Sequence, residues 1–263
     1  MADAIKYESK DFPAPDNNHK GFDAITTYGP GIVTEITNCV FDFRSGDTEN
    51  MDECLDCVDG AIVKLKGCII IGGIKAILAG NGDHPENDAK YGRLEMEDCV
   101  LIGNGRRCPE AQDGVIVTMK RCWIHNWGER FDVRAFGAWA HRGAKITAEE
   151  CLFTQSGTIL SLGIKNTIVD LANHIGQAWN DHSKFRLLPG VSRGLTSDTD
   201  GEVSAHRCYR NKKWIAIDGC ESFIESDEAL SIAMQIESNC RDLRPWLGLS
   251  VIEMFIDVAH ISR

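Results

Sequence analysis

Three short stretches of the chain carry side chains that could build a polar site. The first, Asp52-Glu53-Cys54-Leu55-Asp56, sets two carboxylates four residues apart. The second, Lys75-Ala-Ile-Leu-Ala-Gly80-Asn-Gly-Asp83, supplies an ammonium group and a further carboxylate, with His84 beside it. The third, Arg106-Arg107-Cys108-Pro109-Glu110-Ala111-Gln112, supplies two guanidinium groups. Paired carboxylates are hard oxygen donors of the kind a divalent cation takes, while Lys and Arg hold anions. Taken alone, each stretch has a plainer reading. The acids belong to a run (Asp47, Glu49, Asp52, Glu53, Asp56, Asp59) of the sort found on solvated surfaces. Lys75 alone reads as a surface lysine, and Arg106-Arg107 as a loop pair making ion contacts of little worth. The chemistry becomes joint only if the fold gathers positions as far apart as Asp52 and Arg107 on one face.

A repeat provides for that. Five segments align: Gly31 to Cys39, Gly60 to Cys68, Gly92 to Cys99, Gly114 to Cys122 and Gly143 to Cys151. The Cys follows its Gly by eight residues in four of them and by seven in the third. Apolar positions alternate within each unit, as in Val115, Val117 and Met119, which specifies strands and not helices. One short strand group per repeat, with loops of varying length between, describes a coil that stacks on itself as a parallel β-helix, each turn burying its inner face against its neighbours. Cys39, Cys68, Cys99, Cys122 and Cys151 would then form an inward ladder. The competing architecture is an antiparallel sandwich, whose hairpins would use Asp59-Gly60, Asn81-Gly82, Asn104-Gly105 and Asp113-Gly114.

The expected fold is therefore all-β: a short parallel β-helix of about five coils over residues 1–163. A mixed, loop-rich and helical extension follows over residues 164–263. Ser226 is placed to cap a helix with Ala229, Ile232, Ala233 and Ile236 on one face, and Ile252, Phe255, Ile256 and Ala259 repeat at helical spacing after Pro245. Such helices would close the open end of the coil or make an oligomer contact.

Composition narrows the class. The 263 residues include 43% hydrophobic ones and carry a net charge of −11. That balance argues against nucleic acid or an anionic membrane as the main partner, and no apolar run is long enough to span a bilayer. Eleven cysteines leave at least one unpaired in a monomer, and Cys54-Leu-Asp-Cys57 is the only CxxC. Buried, reduced thiols behaving as small hydrophobes account for them. The first residues show no apolar stretch of the secretory kind.

In order and spacing, the motifs resemble those of the pectate lyase family, which is built on a right-handed parallel β-helix. Asp52-Glu-Cys-Leu-Asp56 matches the family's calcium pair, Lys75-Ala-Ile-Leu-Ala-Gly80 its lysine-bearing strand, and Arg107-Cys-Pro109-Glu-Ala-Gln112 its R-x-P-x-x-R except at the last position. Asn126-Trp127 is similar to the Asn/His-Trp that follows the next strand in relatives. The resemblance covers roughly residues 30–160 and implies a right-handed coil and β-elimination of an acidic polysaccharide. In that reaction the C5 proton of a uronic acid is removed and the glycosidic oxygen at C4 expelled. Calcium, Ca2+, would be held by Asp52 and Asp56, with Asp83 and Glu53 as weaker candidates for further ligands, and would neutralise the substrate carboxylate. Lys75 would bind that carboxylate, Arg107 would act as the base or face the developing enolate, and Arg106, Gln112 and His84 would contact substrate. An arginine keeps its proton unless neighbours force it off, so general acid–base reasoning prefers Lys75 while the resemblance favours Arg107.

Two departures stand out. Gln112 replaces the family's closing arginine, and the Trp-Ile-Asp-His segment of relatives has no clear counterpart. Such a chain would be secreted or carried on a virion. The alternative from another class is a phage tail-spike type of module that binds or trims host polysaccharide. A hydrolase would need a carboxylate pair flanking the bond. His125 reads as a wall residue, and Trp123 and Trp127 as packing aromatics or a sugar platform.

Overall fold

A computed structural model describes residues 6–8, 24–43, 53–58, 60–72, 75–80, 92–102, 108–125, 136–154, 192–197, 200–211 and 215–240. After β1 (Lys6–Glu8), the chain repeats one three-strand turn. The first turn is β2 (Ile25–Tyr28), β3 (Val33–Thr37) and β4 (Val40–Phe43), and the second is β5 (Glu53–Val58), β6 (Ile62–Lys66) and β7 (Ile69–Gly72). The third comprises β8 (Lys75–Ala79), β9 (Arg93–Glu97) and β10 (Val100–Ile102), and the fourth β11 (Glu110–Ala111), β12 (Ile116–Lys120) and β13 (Trp123–His125). The fifth is β14 (Phe136–Ala140), β15 (Lys145–Glu149) and β16 (Leu152–Thr154), and the sixth β17 (Ser192–Ser197), β18 (Glu202–His206) and β19 (Tyr209–Arg210). A last strand, β20 (Ile215–Ile217), precedes helix α1 (Ser226–Cys240).

Strands of like position pair in parallel and in register, giving three sheets. Sheet I is β2-β5-β8-β11-β14-β17-β20, sheet II is β3-β6-β9-β12-β15-β18, and sheet III is β1-β4-β7-β10-β13-β16-β19. The architecture is a right-handed parallel β-helix. A sandwich is ruled out, because its hairpins would pair neighbouring strands antiparallel, and here each strand pairs with the strands one repeat away. The coil is longer than the five turns expected: β17, β18 and β19 pair with β14, β15 and β16 and so continue the stack past residue 163.

The interior is built of columns. Val63, Leu94, Val117 and Ile146 stack from sheet II, and Phe41, Ile70, Leu101, Ile124 and Phe153 from sheet III. Each fully buried side chain of this size contributes about 1.5–3 kcal/mol. The cysteine ladder is real and has a sixth member, Cys208. Each thiol finds a carbonyl: Cys122 donates to Met96 O at 3.6 Å, Cys151 to Met119 O at 3.5 Å and Cys208 to Ala148 O at 3.7 Å, all one rung below. All eleven cysteines are unpaired.

The residue before every ladder cysteine turns the corner from sheet II to sheet III with a left-handed backbone. Asn38, Gly67, Asp98, Arg121, Glu150 and Arg207 have φ of 54°, 61°, 53°, 47°, 53° and 52°. Such a conformation is unfavourable for residues with a Cβ, and the two-residue corner is short enough to demand it on every rung.

Helix α1 lies along the outside of sheet III and not over the end of the coil. Its Ala229, Ile232, Ala233 and Ile236 pack with Ile69, Val100, Trp123, Leu152 and Tyr209. Fifteen residues span about 22 Å, enough to cross four rung spacings of roughly 4.8 Å. The Ser226 hydroxyl sits 3.4 Å from Tyr209 Oη on the sixth rung, while Cys240 donates to Asp98 O (2.6 Å) on the third. The first helical bond runs from Ala229 N–H to Glu225 O (2.9 Å), so Glu225 holds the cap position one residue before the serine expected. The second expected helix, around Ile252 to Ala259, lies outside the described residues. Among the described residues, no helix is long and apolar enough to cross a membrane.

Candidate functional site

Of the residues of the three motifs, Glu53, Asp56, Lys75 and Glu110 fall on sheet I. Register sets them on successive rungs: Glu53 opposite Lys75, Asp56 opposite Leu78, Leu78 opposite Glu110, and Glu110 opposite Trp139. Gln112 and His141 follow β11 and β14 by one residue, so they occupy the same corner one rung apart.

Lys75 forms an ion pair with Glu53, and its Nζ lies 3.9 Å from Glu110 Oε2. The other oxygen of Glu110 is 3.0 Å from His141 Nε2. The His141 ring stacks on Trp139, centroids 3.9 Å apart and planes 4° from parallel. The result is a continuous Glu53–Lys75–Glu110–His141 chain over four rungs. It is largely desolvated: Glu53 is 5% exposed, Glu110 3% and the Lys75 side chain 14%. Buried charges are tolerated when paired and hydrogen-bonded, and this set pairs its ammonium with two carboxylates. Nearby, burial raises the Asp113 carboxyl above its usual range, against the opposing pull of Arg142 and His141.

The expected site residues divide as follows. Asp56 and Lys75 share sheet I on consecutive rungs, and Gln112 stands at the corner just past β11 on the next. Asp52, Asp83, His84, Arg106 and Arg107 lie outside the described residues, as do Asn126 and Trp127. Glu53, a weaker candidate for metal binding, is engaged with Lys75 instead. Gln112 is buried with its side chain packed on Gly80, where a Cβ would stand 2.6 Å from Gln112 Cγ and 2.4 Å from its carbonyl oxygen. Among the described residues no group of three or more metal-binding side chains stands together. Of the expected calcium ligands only Asp56 is described; a half-buried carboxylate on this sheet is chemically suited to a hard cation.

Glu110, His141 and Trp139 were not expected from the motifs. A signal for His141 was present, since Gln112-Asp-Gly114-Val and His141-Arg-Gly143-Ala align when repeats are superposed on their glycines. Glu110 sits inside the third motif, where the arginines and not the carboxylate carry the resemblance. On sheet III, Trp123 is fully buried under α1, which makes it a packing residue. Its Nε1–H donates to Thr154 Oγ1 at 2.6 Å, and His125 Nδ1 meets the same hydroxyl at 2.9 Å. His125 is thus the wall residue it was read to be, and burial presses its pKa down to about 4.

Fold and site define a right-handed parallel β-helix protein with a buried Lys–Glu–His cluster on one sheet. No family model, no curated protein and no solved structure matches the chain.

Proposed function

We propose that the protein is a polysaccharide lyase of pectate-lyase type, secreted or carried on a virion, that cleaves a uronic-acid polymer by calcium-assisted β-elimination on the outer face of sheet I. One observation carries the reading. Asp56 and Lys75 lie on consecutive rungs of that sheet and Gln112 at the corner that follows its next rung, so three motifs far apart in sequence come to three successive rungs of the coil. Lys75 would receive the substrate carboxylate, with Glu53 and Glu110 fixing its ammonium in place. Asp56, with Asp52 and Asp83, would hold Ca2+, which supplies charge neutralisation of that carboxylate. Metal loading also answers the charge of −11, which would otherwise repel a polyanion.

The test is the ultraviolet absorbance of unsaturated product formed from polygalacturonate. Activity should vanish with chelator and return with calcium, and Lys75→Ala should lower kcat/KM at least 100-fold. Turnover that persists in chelator overturns the reading.

A second reading is a non-catalytic carbohydrate-binding module of tail-spike type. It draws support from Lys75, already compensated by two carboxylates, and from Gln112, a neutral side chain packed on Gly80 where relatives carry a cation. Under that reading the wild-type protein retains an acidic glycan and forms no unsaturated product.

A further inference from the structure

We infer that His141, oriented by Glu110, is the general base of this site. The inference rests on the lyase reading and goes beyond it, because the resemblance to pectate lyases assigns the proton transfer to Arg107. A guanidinium keeps its proton under ordinary conditions and makes a poor acceptor. An imidazole with one nitrogen held by a carboxylate is the arrangement that leaves the other nitrogen to take a proton.

That arrangement is present. Nε2–H donates to Glu110 Oε1 at 3.0 Å, while Nδ1 has no partner among the described residues. Stacking on Trp139 fixes the plane of the ring. The same Glu110 carboxylate lies 3.9 Å from Lys75 Nζ, so one side chain sets both the group that binds the substrate carboxylate and the group that takes the proton beside it. His141 also occupies the corner directly above Gln112, so the ionisable group missing at the end of the third motif reappears one rung along.

The step balances without a co-reactant. His141 Nδ1 takes the C5 proton, and the C–H electron pair becomes the C4–C5 double bond. The C4–O bond breaks with its pair on the glycosidic oxygen, which takes a proton from water. The imidazolium then returns its proton to solvent.

His141→Gln should lower kcat at least 100-fold with KM within threefold of wild type, in line with the usual worth of a general base. Added imidazole should restore part of the activity to His141→Ala. Glu110→Gln keeps an acceptor for Nε2–H without the charge and should lower kcat about tenfold at unchanged KM. Thermal melting of each variant reports folding, and imidazole rescue separates lost chemistry from lost structure. An active wild type with His141→Gln within threefold of it overturns the base assignment and leaves the lyase reading standing, as does a His141→Ala variant that folds, is inactive and shows no rescue. A wild type that forms no unsaturated product from any uronide overturns both.

Discussion

Arg121 reaches down one rung to Asp98, its Nε 2.7 Å from one carboxylate oxygen and its Nη2 3.0 Å from the other. Both residues occupy the left-handed corner that precedes a ladder cysteine. Asp98 is almost fully buried and also accepts from Asn239 Nδ2 at 3.0 Å, so the pair joins two rungs of the coil to the far end of helix α1. Arg121 binds Glu97 as well, at 2.6 Å. Proximity of the two acids holds the guanidinium firmly protonated, and Lys66 and Arg121 hold the Glu97 carboxyl below its usual range.

Arg121→Ala therefore leaves a buried carboxylate with only part of its compensation. Removing one partner of such a pair costs about 3 kcal/mol. A lowered urea midpoint at unchanged slope is the expected result. Loss of less than about 0.5 kcal/mol would mean that Asp98 is carried by α1 alone.

Gly67 is the one glycine in that corner column, and packing explains why. A Cβ there would stand 2.7 Å from Asn38 Oδ1 and 2.8 Å from the carbonyl oxygen of Asn239 in α1. Gly67→Ala should cost about 1–3 kcal/mol, through overpacking added to a left-handed backbone. Since the clash is with α1, amide exchange in its last turn should accelerate more than exchange in β6 or β7. Uniform acceleration would show that the helix and the coil open as one unit.

What was legible in the sequence follows from how local each cause is. The Gly-to-Cys spacing reports a corner and an inward thiol, both set within one repeat, so the stacked coil and its ladder could be read directly. Gly201 to Cys208 carries the same seven-residue spacing as Gly92 to Cys99. The sixth rung was missed because residues 155–191 intervene before β17 and break the rhythm. The apolar stripe of α1 was readable from Ala229, Ile232, Ala233 and Ile236, but a stripe does not name the surface it covers. Glu110 and His141 were harder still. Their meeting depends on the register between β11 and β14, and no local pattern marks a carboxylate that will be buried.

His125 gives the fold a dependence on acidity. Burial disfavours its charged form, so its pKa is about 4 in the folded chain against 6.5 unfolded. Between those values the unfolded chain binds a proton that the folded chain does not, so stability falls as pH drops through that window and is flat for this group above it. The loss between pH 7.5 and pH 5 is about 2 kcal/mol. His125→Asn should be less stable at neutral pH yet lose less than wild type on acidification, as read from urea midpoints at the two pH values. Equal losses would show that other groups set the acid sensitivity.

The thiols provide a direct test of the coil itself. A reactive cysteine needs thiolate character and access. Burial raises Cys99, Cys122 and Cys151 well above the ordinary thiol range, and Cys57, Cys68, Cys108 and Cys240 are raised as well. Only Cys39 and Cys220, at the two ends of the stack, are half-buried and not fully enclosed. A chromogenic disulfide reagent at pH 8 should therefore titrate at most two thiols in the native protein. It should titrate all eleven in guanidinium without added reductant, because none is tied in a disulfide. Rapid reaction of five or more thiols under native conditions would mean that the ladder is not stacked inside the coil. Fewer than eleven after denaturation would mean that some are paired, against the eleven free thiols of this structure.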